Sequence, residues 1–336
     1  MDKQTIQLAH GSGGKLTQQL IQEIMLPAFG NPVLNELHDG AAVNLGGTRL
    51  AFATDSYVVQ PLFFPGGDIG KLAVCGTVND LAMTGAIPQY LSASFIIEEG
   101  FYLADLKRIV ASMARTAQAA GVTVVTGDTK VIEKGSLGGL AINTAGIGIV
   151  MNNVKISAAN AAPGQDIIIS GYIGDHAIAV MAQRYGLNLP QGVVSDCAPL
   201  NGVVQDLLRT VPNVAVLRDP TRGGVATTLN EIAAQAGVGI IIDEQAIPVR
   251  PEVQGVCEIL GFDPLYLANE GKMLIFSEPD STKQVMAVLR RHAVSRDARV
   301  IGRVTDRFAG QVVLQTAIGG WRLVDMLTGE QLPRIC

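Results

Sequence analysis

Residues 68–128 read DIGKLAVCGTVNDLAMTGAIPQYLSASFIIEEGFYLADLKRIVASMARTAQAAGVTVVTGD, and this stretch indicates the fold class. Asp68 is a natural helix N-cap, and Lys71, Leu72, Cys75 and Asn79 continue a helix that stops near Gly85. A strand is expected over Tyr90–Ile97. Beyond it, Leu106, Ile109, Val110, Met113 and Ala117 share one helical face, and Gly121 supplies the stop. Val122–Thr126 then reads as a short strand ending in Gly127-Asp128. Alternating helices and strands point to α/β layers with mixed sheets.

The pattern extends to both sides. Upstream, strands are expected at Val33–Leu37, Ala41–Leu45 and Arg49–Thr54, after a Gly-rich hexad (His10–Lys15) and a helical stretch with Leu16, Leu20 and Ile24 on one face. Downstream, Leu140–Met151 reads as a buried strand, and the small, turn-prone run Ser157–Gln165 marks a domain boundary near residue 155. A second set follows: strand Asp166–Ser170, a helix to Gly186, a helix through Val225, Leu229 and Ile232 stopped at Gly237, and strand Val238–Asp243. A helix opening on Pro251, strands Met273–Phe276 and Gln311–Gln315, and a helix over Ser281–His292 complete it. Four segments result: residues 1–35, a Gly-rich loop and helix; 36–155, a first domain; 156–318, a second α/β domain; and 319–336, a tail, in which Trp321 and Leu323–Leu327 are expected to hold the chain to the second domain.

Composition narrows the function. The chain has 336 residues, 48% of them apolar, only 16% charged, with 38 glycines. That excludes disorder and suggests strands buried on both faces, with many backbone-controlled turns. The net charge of −5 predicts neither a nucleic-acid nor an anionic-membrane partner. The long uncharged run 135–154 is too rich in Gly, Asn, Ser and Thr to read as a membrane span. No secretory pattern opens the sequence, and Cys75, Cys197, Cys257 and Cys336 show neither metal-ligand nor disulfide spacing, so a cytoplasmic location is expected. Neither a P-loop nor a GxGxxG loop is present.

What recurs is a carboxylate at the edge of an apolar segment, in all cases but Asp219 beside Gly, Thr or Asn: Asp39, Asp55, Asp80, Asp128, Asp219 and Glu270. Each alone is ordinary turn chemistry. Together they match what Mg²⁺ ions bridging a polyphosphate require, and the hexad with Gly13, Gly14 and Lys15 offers backbone donors and a cation for phosphate. The chain ends Pro333-Arg334-Ile335-Cys336. A thiol on a mobile tail can visit two active sites, and the cation of Arg334 is expected to favour its thiolate.

The strings HGSGGK at 10, DGAAV at 39, ATDSYVV at 53, GKLAVCGTVNDLAMTGAIP at 70, VTGDTKV at 125, SGYIGDH at 170, RDPTRGGVATTLNEIA at 218 and NEGKM at 269 resemble the aminoimidazole ribonucleotide synthetase (PurM-like) superfamily. With the PRIC terminus, the chain is similar over essentially its whole length to the HypE family of hydrogenase maturation factors. The resemblance implies a two-domain PurM-like fold with a flexible C-terminal tail. It also implies a homodimer whose N-terminal sheets combine into a barrel, and ATP and Mg²⁺ in a cleft between domains. The implied reaction is ATP-dependent dehydration of an S-carbamoyl group on Cys336 to S-cyano, for the iron centre of [NiFe]-hydrogenase. HypF would donate the carbamoyl group, and a HypC–HypD complex would accept the cyanide.

By the same resemblance, Asp39, Asp55, Asp80 and Asp128 bind Mg²⁺ and ATP, with Asp219 as a further metal ligand. Lys15, Gly13, Gly14, Asn79 and Gly127 contact the nucleotide, Glu270 is the base, and Lys130 holds charge on the transferring group. His38 stands where many relatives have an acid, which puts one metal contact in doubt. Two alternatives stay open: a superfamily kinase or synthetase acting on a free small molecule, and a non-catalytic nucleotide-sensing scaffold.

Overall fold

The computed structural model describes residues 5–187, 192–211, 213–329 and 335–336. The N-terminal helical segment runs as α1 (Lys15–Leu20), a π turn over Ile21–Met25 and α2 (Leu26–Phe29), and it buries none of its residues. Strand β1 (Ala41–Leu45) pairs with β2 (Thr48–Tyr57), and a two-stranded ribbon, β3 (Phe63–Phe64) and β4 (Gly67–Asp68), leads into helix α3 (Ile69–Met83). Asp68 caps that helix as expected, its side chain accepting from the Gly70 and Lys71 N–H groups. Then come β5 (Ala86–Glu98), α4 (Leu103–Ala120) closed by left-handed Gly121, β6 (Thr123–Ile132) and β7 (Leu140–Val150).

These strands form a five-stranded sheet in the order β1-β2-β7-β5-β6, antiparallel except for β5–β6. One face lies under α3 and α4, where Ala51, Ala53, Tyr57, Leu91 and Ile142 are buried. The other face leaves Phe52, Tyr90, Ile96, Ile147 and Ile149 exposed, and the edge strand β6 is exposed along almost its whole length. Val110, expected on the buried face of α4, is exposed, because burial follows Ile109, Met113 and Ala117.

The second unit contains β8 (Asp166–Ile169), α5 (Asp175–Tyr185), α6 (Asn201–Thr210), β9 (Val216–Arg218), α7 (Gly224–Ala236) and β10 (Gly239–Asp243). It continues with α8 (Pro251–Leu260), β11 (Leu274–Ser277), α9 (Pro279–Leu289), β12 (Arg299–Thr305), β13 (Val312–Gln315) and β14 (Trp321–Val324). Its seven-stranded sheet runs β14-β13-β10-β12-β8-β11-β9. Alternation along β8 sends Ile167 and Ile169 to the α7 side and Ile168 to the side of α6 and α9, so this sheet is covered on both faces. The two units share core: Ala177, Ile178 and Met181 of α5 pack with Tyr57, Leu72 and Cys75.

Two expectations change. Val33–Leu37 is not a strand: Leu34–Glu36 is a 3₁₀ turn, because Asn31 Oδ1 accepts from the Val33 and Leu34 N–H groups and competes with extended pairing. Helix α6 and strands β9, β12 and β14 went unforeseen, the two edge strands because they are short. Trp321–Val324, at the stretch expected to hold the tail to the second domain, does so as an edge strand paired with β13. Among the described residues, no helix is long and apolar enough to cross a membrane.

Candidate active site

A cleft of about 720 Å³ lies between the two units. The first unit contributes Asp39, just before β1, Thr54 and Asp55 from β2, and Gly76 and Asp80, four residues apart on one face of α3. The second contributes Arg218 and Asp219 at the end of β9, Thr221 and Arg222 in the following loop, Thr228 and Glu231 of α7, and Glu270. Gly13 closes one side. Its left-handed backbone (φ 81°) lies against the Arg222 stem, where an added Cβ would sit 2.8 Å from the Arg222 Cβ, so only glycine fits. Cys336 completes the lining.

The electrostatics are those of crowded carboxylates. Burial pushes the Asp80 carboxyl well up, and the neighbouring Asp219, Asp55 and Asp39 push it further, against Arg222. Burial and Asp39 raise Asp219, against Arg218. Glu270, 3% exposed, is raised well above its ordinary value by burial and then by Cys197 and Asp219. Two guanidiniums offset this charge. Arg218 lies 2.7 Å from Asp39 Oδ1, though not aligned for a hydrogen bond, and donates to Glu231 Oε2 at 2.8 Å; Arg222 lies 3.7 Å from Asp55. Asp39 Oδ2, Asp219 Oδ2 and Glu270 Oε1 are buried with no hydrogen-bond partner. Unpartnered buried carboxylate oxygens that destabilise one another's ionised forms fit a bound cation. Among the described residues no three His, Cys, Asp or Glu side chains are arranged to hold an ion by themselves. That suits Mg²⁺, which keeps water and phosphate oxygens in its shell.

The tail enters this cleft. Ile335 is buried in the shared core, its carbonyl 2.7 Å from His176 Nε2, and the Val58 N–H lies 3.4 Å from the Cys336 carbonyl oxygen. The thiol does not have the lowered pKa that the sequence suggested. Burial and then Glu270 push it up to about 12, against Arg222. Pro333 and Arg334 lie outside the described residues.

Asp39, Asp55, Asp80, Asp219, Glu270 and Cys336 thus converge as expected, and other expected site residues do not. Asn79 is engaged within the protein: its side chain donates to the Ala198 and Glu270 carbonyls and accepts from the Leu200 N–H, clipping the Glu270 loop in place. Lys15 turns away from the cleft to Asp325 at 2.7 Å, and its N–H, like Gly14, meets the Leu327 carbonyl. Gly127, Asp128 and Lys130 lie on the edge strand β6, where Asp128 and Lys130 pair with each other at 3.0 Å. Gly127 serves strand packing, since a Cβ there would strike the Ala93 carbonyl. His38 is neutral, its pKa lowered to about 3 by burial and then by Arg218. Sequence reasoning missed Arg218, Arg222 and His176; two arginines bracketing Asp219 in Arg-Asp-Pro-Thr-Arg, in so weakly charged a chain, were the available signal. Cys75, Cys197 and Cys257 are buried free thiols.

The AIR synthase related protein family matches twice, by its N-terminal domain over residues 37–150 and its C-terminal domain over residues 162–315. Carbamoyl dehydratase HypE of Cupriavidus necator is 52% identical over 98% of this chain and 95% of its own. The chain belongs to the HypE family. HypE of Escherichia coli is 50% identical, over 98% of this chain and 99% of its own. A solved hydrogenase maturation protein HypE in complex with ATP superposes with a TM-score of 0.84 at 50% identity, covering 99% of this chain and all of that one. HypE in a solved HypE–HypF complex gives 0.87 at 48% identity, over 92% and 99%. AaThiL, solved with AMPPCP and TMP, gives 0.71 at 17% identity over 94% and 96%, a likeness of fold alone.

Proposed function

We propose that this chain is a carbamoyl dehydratase that uses ATP to convert an S-carbamoyl group on its own Cys336 into an S-cyano group, the cyanide source for [NiFe]-hydrogenase iron centres. The observation that carries the reading is the placement of Cys336 in a cleft ringed by Asp39, Asp55, Asp80, Asp219, Arg222 and Glu270. Curated relatives of near-full-length similarity are named carbamoyl dehydratases, and one solved HypE is in complex with ATP.

In the overall change, the carbamoyl oxygen leaves with the γ-phosphoryl group as phosphate, the two N–H protons are released, and the C≡N bond forms. Bound Mg²⁺–ATP supplies the phosphoryl group that turns that oxygen into a leaving group. Asp39, Asp55, Asp80 and Asp219 would hold Mg²⁺ through their cleft-facing oxygens. Arg222, which lines the cleft with Cys336 and lies 3.7 Å from Asp55, faces the negative charge that develops at the tail. Glu270, its carboxyl raised first by burial and then by Cys197 and Asp219, is the group placed to accept protons from the carbamoyl nitrogen.

The exposed apolar face of the first sheet (Phe52, Tyr90, Ile96, Ile147, Ile149) fits a second copy of the chain, which would form a homodimer. Asp128 and Lys130, on the outer strand, could then serve only the cleft of the partner. Within residues 319–336, the chain beyond the edge strand Trp321–Val324 acts as the substrate-carrying tail, loaded by HypF and unloaded to HypC–HypD, in the cytoplasm. One solved structure is a HypE–HypF complex. Cys336→Ala is expected to abolish modification while leaving ATP binding intact. Mass spectrometry of the C-terminal peptide, after loading and addition of ATP, should show loss of one water from the carbamoyl adduct; the adduct on another cysteine, or no such loss, overturns the reading.

A further inference from the structure

A buried polar chain runs to the tail from outside the carboxylate cluster. His176, on the first turn of α5 and fully buried, has Nδ1 at 2.8 Å from Ser195 Oγ and Nε2 at 2.7 Å from the Ile335 carbonyl oxygen. Ser195 Oγ accepts from the Cys197 N–H at 3.1 Å, which leaves its proton free for Nδ1. The imidazole must then carry its proton on Nε2 and donate it to Ile335. The ring is fixed on its other side by Phe64, edge-on with centroids 5.4 Å apart, and burial lowers the His176 pKa. Ser195 is itself held by its N–H on the Pro65 carbonyl.

We propose that His176, oriented by Ser195, is the positioning residue that latches the tail in the cleft through the Ile335 carbonyl. The contact is to main chain one residue before the thiol, so it is indifferent to what Cys336 carries and holds free, carbamoylated and cyanated tails alike. When the tail leaves to be loaded, Nε2–H loses its protein acceptor, and that penalty draws the tail back. The need for the tail to leave rests on the dehydratase reading; the latch itself does not.

The test is alkylation of Cys336 by iodoacetamide in the full-length chain without nucleotide or carbamoyl donor, with Cys336→Ala as the control for the buried thiols. His176→Ala is expected to raise the alkylation rate about tenfold, the equilibrium worth of one buried hydrogen bond. Ser195→Ala, which keeps the ring and loses its orientation, should give a smaller rise and guards against a misfolded His176 variant. In single turnover of pre-carbamoylated protein, both variants should slow dehydration, His176→Ala more than Ser195→Ala, without slowing loading. Unchanged alkylation in both folded variants overturns the latch even if dehydration is confirmed. Faster alkylation in a protein that never dehydrates its tail supports the latch and overturns only the dehydratase reading.

Discussion

Two sets of acids with the same local sequence character meet opposite environments. Asp128, in Thr-Gly-Asp-Thr on β6, is exposed, and Lys130 first of all holds its carboxyl below the ordinary range. Asp80 and Asp219, in Asn-Asp-Leu and Arg-Asp-Pro, sit against one another in the cleft and are pushed up by burial and mutual repulsion. A carboxylate in a similar local setting is therefore a finished ion pair on the open edge and an unfinished site in the cleft. The difference comes from what the second domain places opposite.

The largest effect should fall on Glu270. Glu270→Gln keeps the shape and removes the proton acceptor, so single-turnover dehydration should slow by about 10² to 10⁴-fold with ATP binding retained; near-normal turnover would move the base elsewhere. Asp128→Asn sharpens the contrast. In a monomeric site it should change neither activity nor thermal midpoint, whereas loss of activity at an unchanged midpoint would place the residue in the cleft of a second copy. Placing lysine at both Phe52 and Ile147 should separate that copy, read as a halved mass by light scattering; a mass unaffected by both charges breaks the dimer reading.

Stability tests the cleft acids more gently. Asp80, Asp219 and Glu270 bind protons more tightly folded than unfolded, so their contribution to stability is greatest in acid and is lost as pH rises through their raised values. Asp80→Asn should accordingly raise the midpoint of the ligand-free chain by about 2–5 °C near about pH 7 and by much less near about pH 4. It should also weaken Mg²⁺-dependent ATP binding. A lower midpoint at neutral pH would mean that these acids are not in conflict.

Much of the fold was legible because its signals are local. The Asp68 cap, the stops at Gly121, Gly186 and Gly237 and the alternating apolar runs act within a few residues. The acids that converge, and the terminal cysteine among them, were legible as motif members. Asn79 was not, because it stands beside Asp80 in sequence but faces Leu200 and Glu270, and a helix turns adjacent residues to different faces. Lys15 was misplaced for a similar reason: its partner, Asp325, is 310 positions away.

The sequence by itself determined two α/β units, the family, and which residue types line the site, since capping, periodicity and motif spacing are properties of neighbouring residues. Only the tertiary structure decided that Arg218 and Arg222 face the acids, that β6 holds Asp128 and Lys130 outside the cleft, and that His176 grips Ile335. These are pairings between distant segments, set by how the two cores pack together around α3 and α5, and no local pattern encodes which face meets which.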